Sequence, residues 1–286
     1  MYWQAGRFQI DLNAPKVMGI VNVTPDSFSD GGSHDNVRDA LAHCEALVKE
    51  GADILDIGGE STRPGSPAVP LEEELARVIP VVRAARDLGV PLSIDTYKPE
   101  VMRAALGEGA DIINDIWALR QSGAREAVAA HPDCGICIMH MHRDPQTMQQ
   151  QTMDGDVVDE VWRFLAQELA VLRGMDIARE RIVLDAGIGF GKTVEQNFAL
   201  LSAQNDLVQR SGGYAWLAGW SRKSSLGAVT GLPVDQRLGA SVAAALLSVQ
   251  QGAAVVRVHD VRDTVAALKV FAAMEQQQEQ RRPARR

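Results

Sequence analysis

Eight times along the chain, a short apolar run ends at or beside a polar residue able to do chemistry. In order, these are Asn22, Asp56, Asp95, Asn114 with Asp115, His140, Asp185, Ser221 to Lys223, and Arg257 with His259. One such residue would be an ordinary cap or turn former, because Asp and Asn accept backbone N–H bonds at helix starts and turns. Eight in the same position relative to a run form a set. The carboxylates and amides suit a heterocycle rich in donors, while Arg, Lys and His suit an anion. The ligand implied has both features.

The elements that must position them follow from the spacing. Runs rich in Val and Ile, Val17 to Val23, Ile54 to Ile57, Leu92 to Ile94, Ile112 and Ile113, Ile136 to Met139, Ile182 to Leu184, Trp216 to Ala218 and Val255 to Val258, read as strands. Between them, Val37 to Glu50, Leu71 to Leu88, Pro99 to Gly107, Asp156 to Arg173, Val194 to Ala203, Gly239 to Gln250 and Asp263 to Met274 read as helices. Near-continuous apolar strands alternating with helices, at roughly 36 residues per unit, predict an α/β fold with a parallel sheet. Eight units predict a closed (β/α)8 TIM barrel, whose loops after the strands converge on one open face. A doubly wound open sheet is the alternative, since the Ile112 strand is short and the count depends on it. One barrel domain over residues 1–275 is expected, with the Gln- and Arg-rich segment 276–286 as a flexible, solvated tail.

Of 286 residues, 46% are hydrophobic and 23% charged, enough for a sizeable core and against broad disorder. A net charge of −8 argues against a general nucleic-acid surface, so an anionic ligand must be held by a few placed cations. Three cysteines suit a reducing compartment better than a disulfide framework. No secretory pattern or membrane-spanning run is evident, and the cytoplasm is expected, with no membrane or nucleic-acid partner.

Two segments rich in Gly and Pro directly follow predicted strands: Asn22-Val-Thr-Pro-Asp-Ser-Phe-Ser-Asp-Gly-Gly32 and Asp56-Ile-Gly-Gly-Glu-Ser-Thr-Arg-Pro-Gly65. Plain connections run to about 2–6 residues, so these longer ones, with Phe28, Asp35, Thr62 and Arg63 in or beside them, are expected to act as lids.

With Ile94-Asp95-Thr96, Ile113-Asn114-Asp115, Met139-His140-Met141, Asp185-Ala-Gly-Ile-Gly-Phe-Gly-Lys192, Gly219-Trp-Ser-Arg-Lys-Ser224 and Arg257-Val-His-Asp260, these loops make a specific pattern. From Val17 to Val265 the chain resembles the dihydropteroate synthases, folate-pathway enzymes of the pterin-binding barrel family. The resemblance implies a transferase that joins a dihydropterin methyl diphosphate to p-aminobenzoate and releases diphosphate. It implies pterin contacts from Asp185, Asn114, Asp95 and Lys223, and diphosphate contacts from Arg257, His259 and Asn22, with Mg²⁺ as cofactor and Asn22 as its protein ligand. The p-aminobenzoate ring is placed by resemblance near Phe190 and Phe28, with Thr62, Pro64 and Ser221 around its other end. Asp56 and Met139 join the substrate-binding set, and the groups implied at the reacting centre are Asp95, Asp185, Lys223 and Arg63. A homodimer is implied too, as is sensitivity to sulfonamides as a drug class.

Two departures stand beside matched residues. The family usually has Pro after the Asp of the sixth strand and Gln-Gly after Met-His-Met, where this chain has Ala186 and His142-Arg143. Neither removes a group with an assigned role. Three weaker motifs remain. Ala186-Gly-Ile-Gly-Phe-Gly-Lys-Thr193 fails as a P-loop at its first position. Cys134-Gly-Ile-Cys137, if it overlaps the fifth strand, puts its thiols on opposite faces, which suits packing. His140 and His142 could share a face as a metal pair, but no third ligand has suitable spacing.

Overall fold

Alternation with period two decides which way each strand faces. The computed structural model describes residues 1–24, 33–61, 65–144, 147–148 and 152–281, with the side chains of 33–35, 279 and 281 left aside. Within it, β3 (Lys16–Asn22), β4 (Ile54–Gly58), β5 (Leu92–Asp95), β6 (Ile112–Asp115), β7 (Gly135–Met139), β8 (Ile182–Asp185), β9 (Ala215–Ala218) and β10 (Val255–Val258) coincide with the predicted runs. They pair in parallel in chain order, and β10 returns to β3 through Val255 opposite Lys16, so the sheet closes. Short β6 pairs on both sides, with Ser93 opposite Ile112 and Ile112 opposite Gly135. The fold is a (β/α)8 barrel, and the open-sheet alternative falls away.

Side chains of Leu55, Ile57, Ile94, Ile113, Ile136, Ile138, Leu184 and Val256 pack outward in one large core with α1 (Ser33–Glu50), α2 (Leu71–Ala85), α3 (Pro99–Gly107), α5 (Val157–Gly174), α6 (Val194–Arg210) and α8 (Leu238–Gln250). Their neighbours Met18, Ile54, Ile112, Cys137, Val183, Leu217 and Val255 point inward and form a second, separate core. Two residues further along each strand, the same inward face carries Asp56, Asn114, Met139, Asp185 and Arg257. An apolar layer thus floors a polar one.

The sequence reading missed the element that seals the other end. A hairpin of β1 (Tyr2–Ala5) and β2 (Phe8–Asp11) sends Trp3, Ala5, Ile10 and Leu12 into the inner apolar core. Trp3 Nε1 donates to Arg181 O at 2.9 Å, while Arg7 binds both oxygens of buried Asp111, whose Oδ2 also accepts from Leu92 N. Short helices α4 (Ala124–Ala129) and α7 (Ser224–Thr230) were missed as well. The expectation of a tail from residue 276 needs correction over its first part, because α9 (Val261–Arg281) continues through it as helix. Gln is a good helix former, and the described side chains there stay exposed. Residues 282–286 lie outside the described residues. Among those described, no helix is long and apolar enough to cross a membrane.

Candidate active site

Arg257, on β10, reaches across the barrel mouth to two carboxylates. Its Nε donates to Asp56 Oδ2 at 2.5 Å and its Nη2 to Asp95 Oδ2 at 2.7 Å. Asp56, fully buried on β4, also accepts from Ser93 Oγ at 2.6 Å and from Asn114 Nδ2 at 3.2 Å. Four strands therefore hand side chains to one network.

Burial pushes the Asp95 carboxyl up to about 7, against the pull of Arg257 and with Asp56 adding to the rise. Arg257 moves so as to keep its charge: burial opposes it, but Asp56 and Asp95 more than offset that. On β8, burial also raises Asp185, while the Gly187 N–H, donated to Oδ1 at 2.7 Å, and Lys223 hold it back. Burial lowers Lys223 to about 8, with Asp185 opposing the fall and Arg257 adding to it. Burial thus works against the charged forms of Asp95, Asp185 and Lys223, while Arg257 keeps its charge, a pattern common where groups serve a ligand.

An apolar wall stands beside this network. Met139, Ile116, Met141, Met148 and Phe190 form a cluster of their own, and Lys223 Nζ lies 4.3 Å from the Phe190 ring centroid. The loops after β9 and β10 are tied together. Ser221 Oγ and His259 Nδ1 lie 3.0 Å apart, and Arg222 pairs with Asp260 at 2.6 Å. Asn22 ends β3, half-buried and opposite Gly58 of β4.

Of the residues named from sequence, Asn22, Asp56, Asp95, Asn114, Met139, Asp185, Phe190, Ser221, Lys223, Arg257 and His259 stand at the strand ends of one face or in the loops that follow them. Phe28, Thr62, Arg63 and Pro64 lie outside the described residues. Two strand-end residues do not join the mouth. His140 turns out of the barrel, its ring edge on Phe164 of α5 at 5.1 Å, and burial lowers it to about 2. Asp115 accepts from Trp117 N and Leu119 N, both at 2.8 Å, holding a turn in which Ala118 and Leu119 are left-handed. Both sit one residue past an inward neighbour, so the pleat sends them outward.

Sequence reasoning missed Ser93 and Lys192. Ser93 precedes Asp95 by two, so strand alternation alone could have placed it on the inner face. Lys192 appeared only as the last residue of the Asp185 motif and within the failed P-loop, with no role of its own; its Nζ donates to three carbonyls. Cys134 and Cys137 fall in the outer and inner cores respectively, as expected for thiols flanking one sheet.

Residues 18–259 match the family model described as pterin binding enzyme. The chain is 52% identical over 277 residues to dihydropteroate synthase of Neisseria meningitidis serogroup B, covering 95% of this chain and 97% of that one. The chain belongs to the dihydropteroate synthase family of pterin binding enzymes. It is thus an enzyme of a transferase family. Burkholderia cenocepacia dihydropteroate synthase, solved with 7,8-dihydropteroate, is 55% identical with a TM-score of 0.90, covering 98% of each chain. The Xanthomonas albilineans enzyme, solved with 4-aminobenzoic acid, is 48% identical with a TM-score of 0.89, over 96% of this chain and 98% of that one.

Against the family pattern, the departure at Arg143 has a backbone consequence. Arg143 is left-handed, with φ of 64°, where the family's usual Gly would sit without strain. Among the described residues, no three His, Cys, Asp or Glu side chains are gathered for a metal. The donor set offers Asn22 instead, a single neutral oxygen. That fits Mg²⁺, which keeps waters and takes phosphate oxygens, and does not fit a structural zinc centre.

Proposed function

We propose that this chain catalyses the joining of (7,8-dihydropterin-6-yl)methyl diphosphate to p-aminobenzoate, giving 7,8-dihydropteroate and diphosphate. The observation that carries the reading is Arg257 bridging Asp56 and Asp95 at one mouth with Asp185 and Lys223. Asp185 would accept from the adjacent N–H donors of the pterin, Asn114 and Asp95 would hold other ring atoms, and Lys223 would donate to a ring acceptor. Arg257, His259 and Asn22 would take the diphosphate. Asn22 would hold Mg²⁺, which supplies charge neutralisation to the leaving diphosphate when bound.

The reading includes a dissociative course. The methylene C–O bond breaks first, and positive charge spreads into the pterin, beside carboxylates that stabilise it electrostatically. The p-aminobenzoate amine then forms the C–N bond and gives up a proton. Phe190 would face the incoming ring, with Ser221 near its far end. Phe28, Thr62, Pro64 and Arg63 keep their assigned places here only through family likeness. So do the homodimer and the cytoplasm; sedimentation velocity checks the first.

The test is diphosphate release by the purified chain with Mg²⁺. Release requiring both substrates is expected; none with both present would end the reading. For the dissociative course, a labelled bridging oxygen should scramble into the outer diphosphate positions without p-aminobenzoate. Its full retention would favour direct displacement.

A further inference from the structure

Lys192 ends the β8–α6 loop with a side chain 3% exposed. Its Nζ donates to Gly187 O at 2.8 Å, Phe190 O at 3.1 Å and His140 O at 3.2 Å. Two of these carbonyls belong to the loop that begins at Asp185, and the third follows β7. An ammonium has three N–H groups and no acceptor, so three converging carbonyls use it fully. Among the described residues, no carboxylate lies within ion-pair distance of it. Burial lowers the Lys192 ammonium to about 7, with Asp185 opposing the fall and Lys223 adding to it, and the three carbonyls are the contacts that compensate its desolvation.

The loop it gathers lies backbone on backbone against residues 140–142. A Cβ on Gly187, φ +68°, would stand 1.9 Å from His140 O, and one on Gly191 would stand 2.6 Å from His142 O. His140 N donates to Asp185 O at 3.0 Å and His142 N to Phe190 O at 3.4 Å, completing the seam. Phe190 therefore takes its position from a curl that Lys192 holds from inside. That curl presents its ring to Lys223.

We propose that Lys192 is a positioning residue for the p-aminobenzoate side of the site, gathering the carbonyls of His140, Gly187 and Phe190 so that the Phe190 ring is set against Lys223. The inference rests on the function proposed above. Lys192 touches neither substrate and acts through Phe190.

Four variants test it by steady-state kinetics and by calorimetric binding of the pterin diphosphate: Lys192→Met, Lys192→Gln, Phe190→Ala, and Lys192→Met combined with Phe190→Ala. Lys192→Met should raise KM for p-aminobenzoate by about tenfold or more, the factor set by one lost contact, while pterin affinity changes less than about threefold. Lys192→Gln, which keeps two donors, should fall between Met and the wild type. Once Phe190 is already Ala, Lys192→Met should add little to that KM, because positions acting through each other are not additive. Equal losses for both substrates, an unchanged KM, full additivity, or a Lys192→Met chain that does not fold would overturn the proposal. A wild-type chain inactive with both substrates would overturn this and the functional reading together; an active wild type with any of the results just named overturns this alone.

Discussion

Arg257 Nη2 donates to Asp95 Oδ2 at 2.7 Å, so the cation assigned to the leaving diphosphate is held by a carboxylate assigned to the pterin. Under the proposed function this pairing would link the two ends of the substrate. In the reaction proposed above, diphosphate drawing on Arg257 would leave Asp95 and Asp56 less compensated, where positive charge would develop on the pterin side.

Arg257→Met should therefore lower kcat/KM for the pterin diphosphate by at least about a hundredfold, the scale of a lost charge-assisted contact in the transition state. It should also push Asp95 above its present value of about 7, since Arg257 now pulls it down. The acid side of the pH–rate profile should move to higher pH. A profile that keeps its acid limb would place that limb on another group.

Asp185→Asn replaces an acceptor-only carboxylate with an amide that presents donors to donors. Pterin binding by calorimetry should weaken by roughly ten- to a hundredfold, matching one unpaired polar group. Unchanged binding and turnover would remove Asp185 from the pterin edge.

In the wild type, Lys223, lowered to about 8, keeps its charge below that pH and loses it above. Asp95, raised to about 7, takes up its proton as pH falls through that value. Thus kcat/KM for the pterin diphosphate should fall on both sides of a narrow optimum. Lys223→Arg, which stays charged, should lose the alkaline fall whatever it does to the rate. Retention of that fall would trace it to another group.

Two stability predictions concern the scaffold. Arg143→Gly should raise stability by about 1 kcal/mol, because the left-handed backbone at Arg143 suits Gly. Asp111→Ala should cost about 1–3 kcal/mol, since it leaves the buried Leu92 N without its acceptor and frees Arg7, whose half-exposed guanidinium returns to water. Urea unfolding midpoints check both; a neutral Asp111→Ala would mean that the hairpin is held by Trp3 and Ile10 without it.

What the sequence disclosed and what it hid have the same origin. The eight strands were legible because parallel strands buried on both faces read as continuous Val and Ile runs, and the site because each run stops at its polar residue. The same continuity hides alternation, which is why His140 and Asp115 were placed at the mouth when the pleat turns them away. The N-terminal hairpin escaped because β1 and β2 mix Gln, Asp and aromatics in runs of four residues. Lys192 escaped because its partners are carbonyls, which every residue has and no sequence marks.

One barrel mouth should grip both ends of a pterin diphosphate. A crystal structure of the chain with that ligand and Mg²⁺ tests it most directly. The pterin edge should lie on Asp185 and Asn114, with the diphosphate on Arg257 and His259; a ligand seated elsewhere, or reversed with its phosphates on Asp185, would contradict the account.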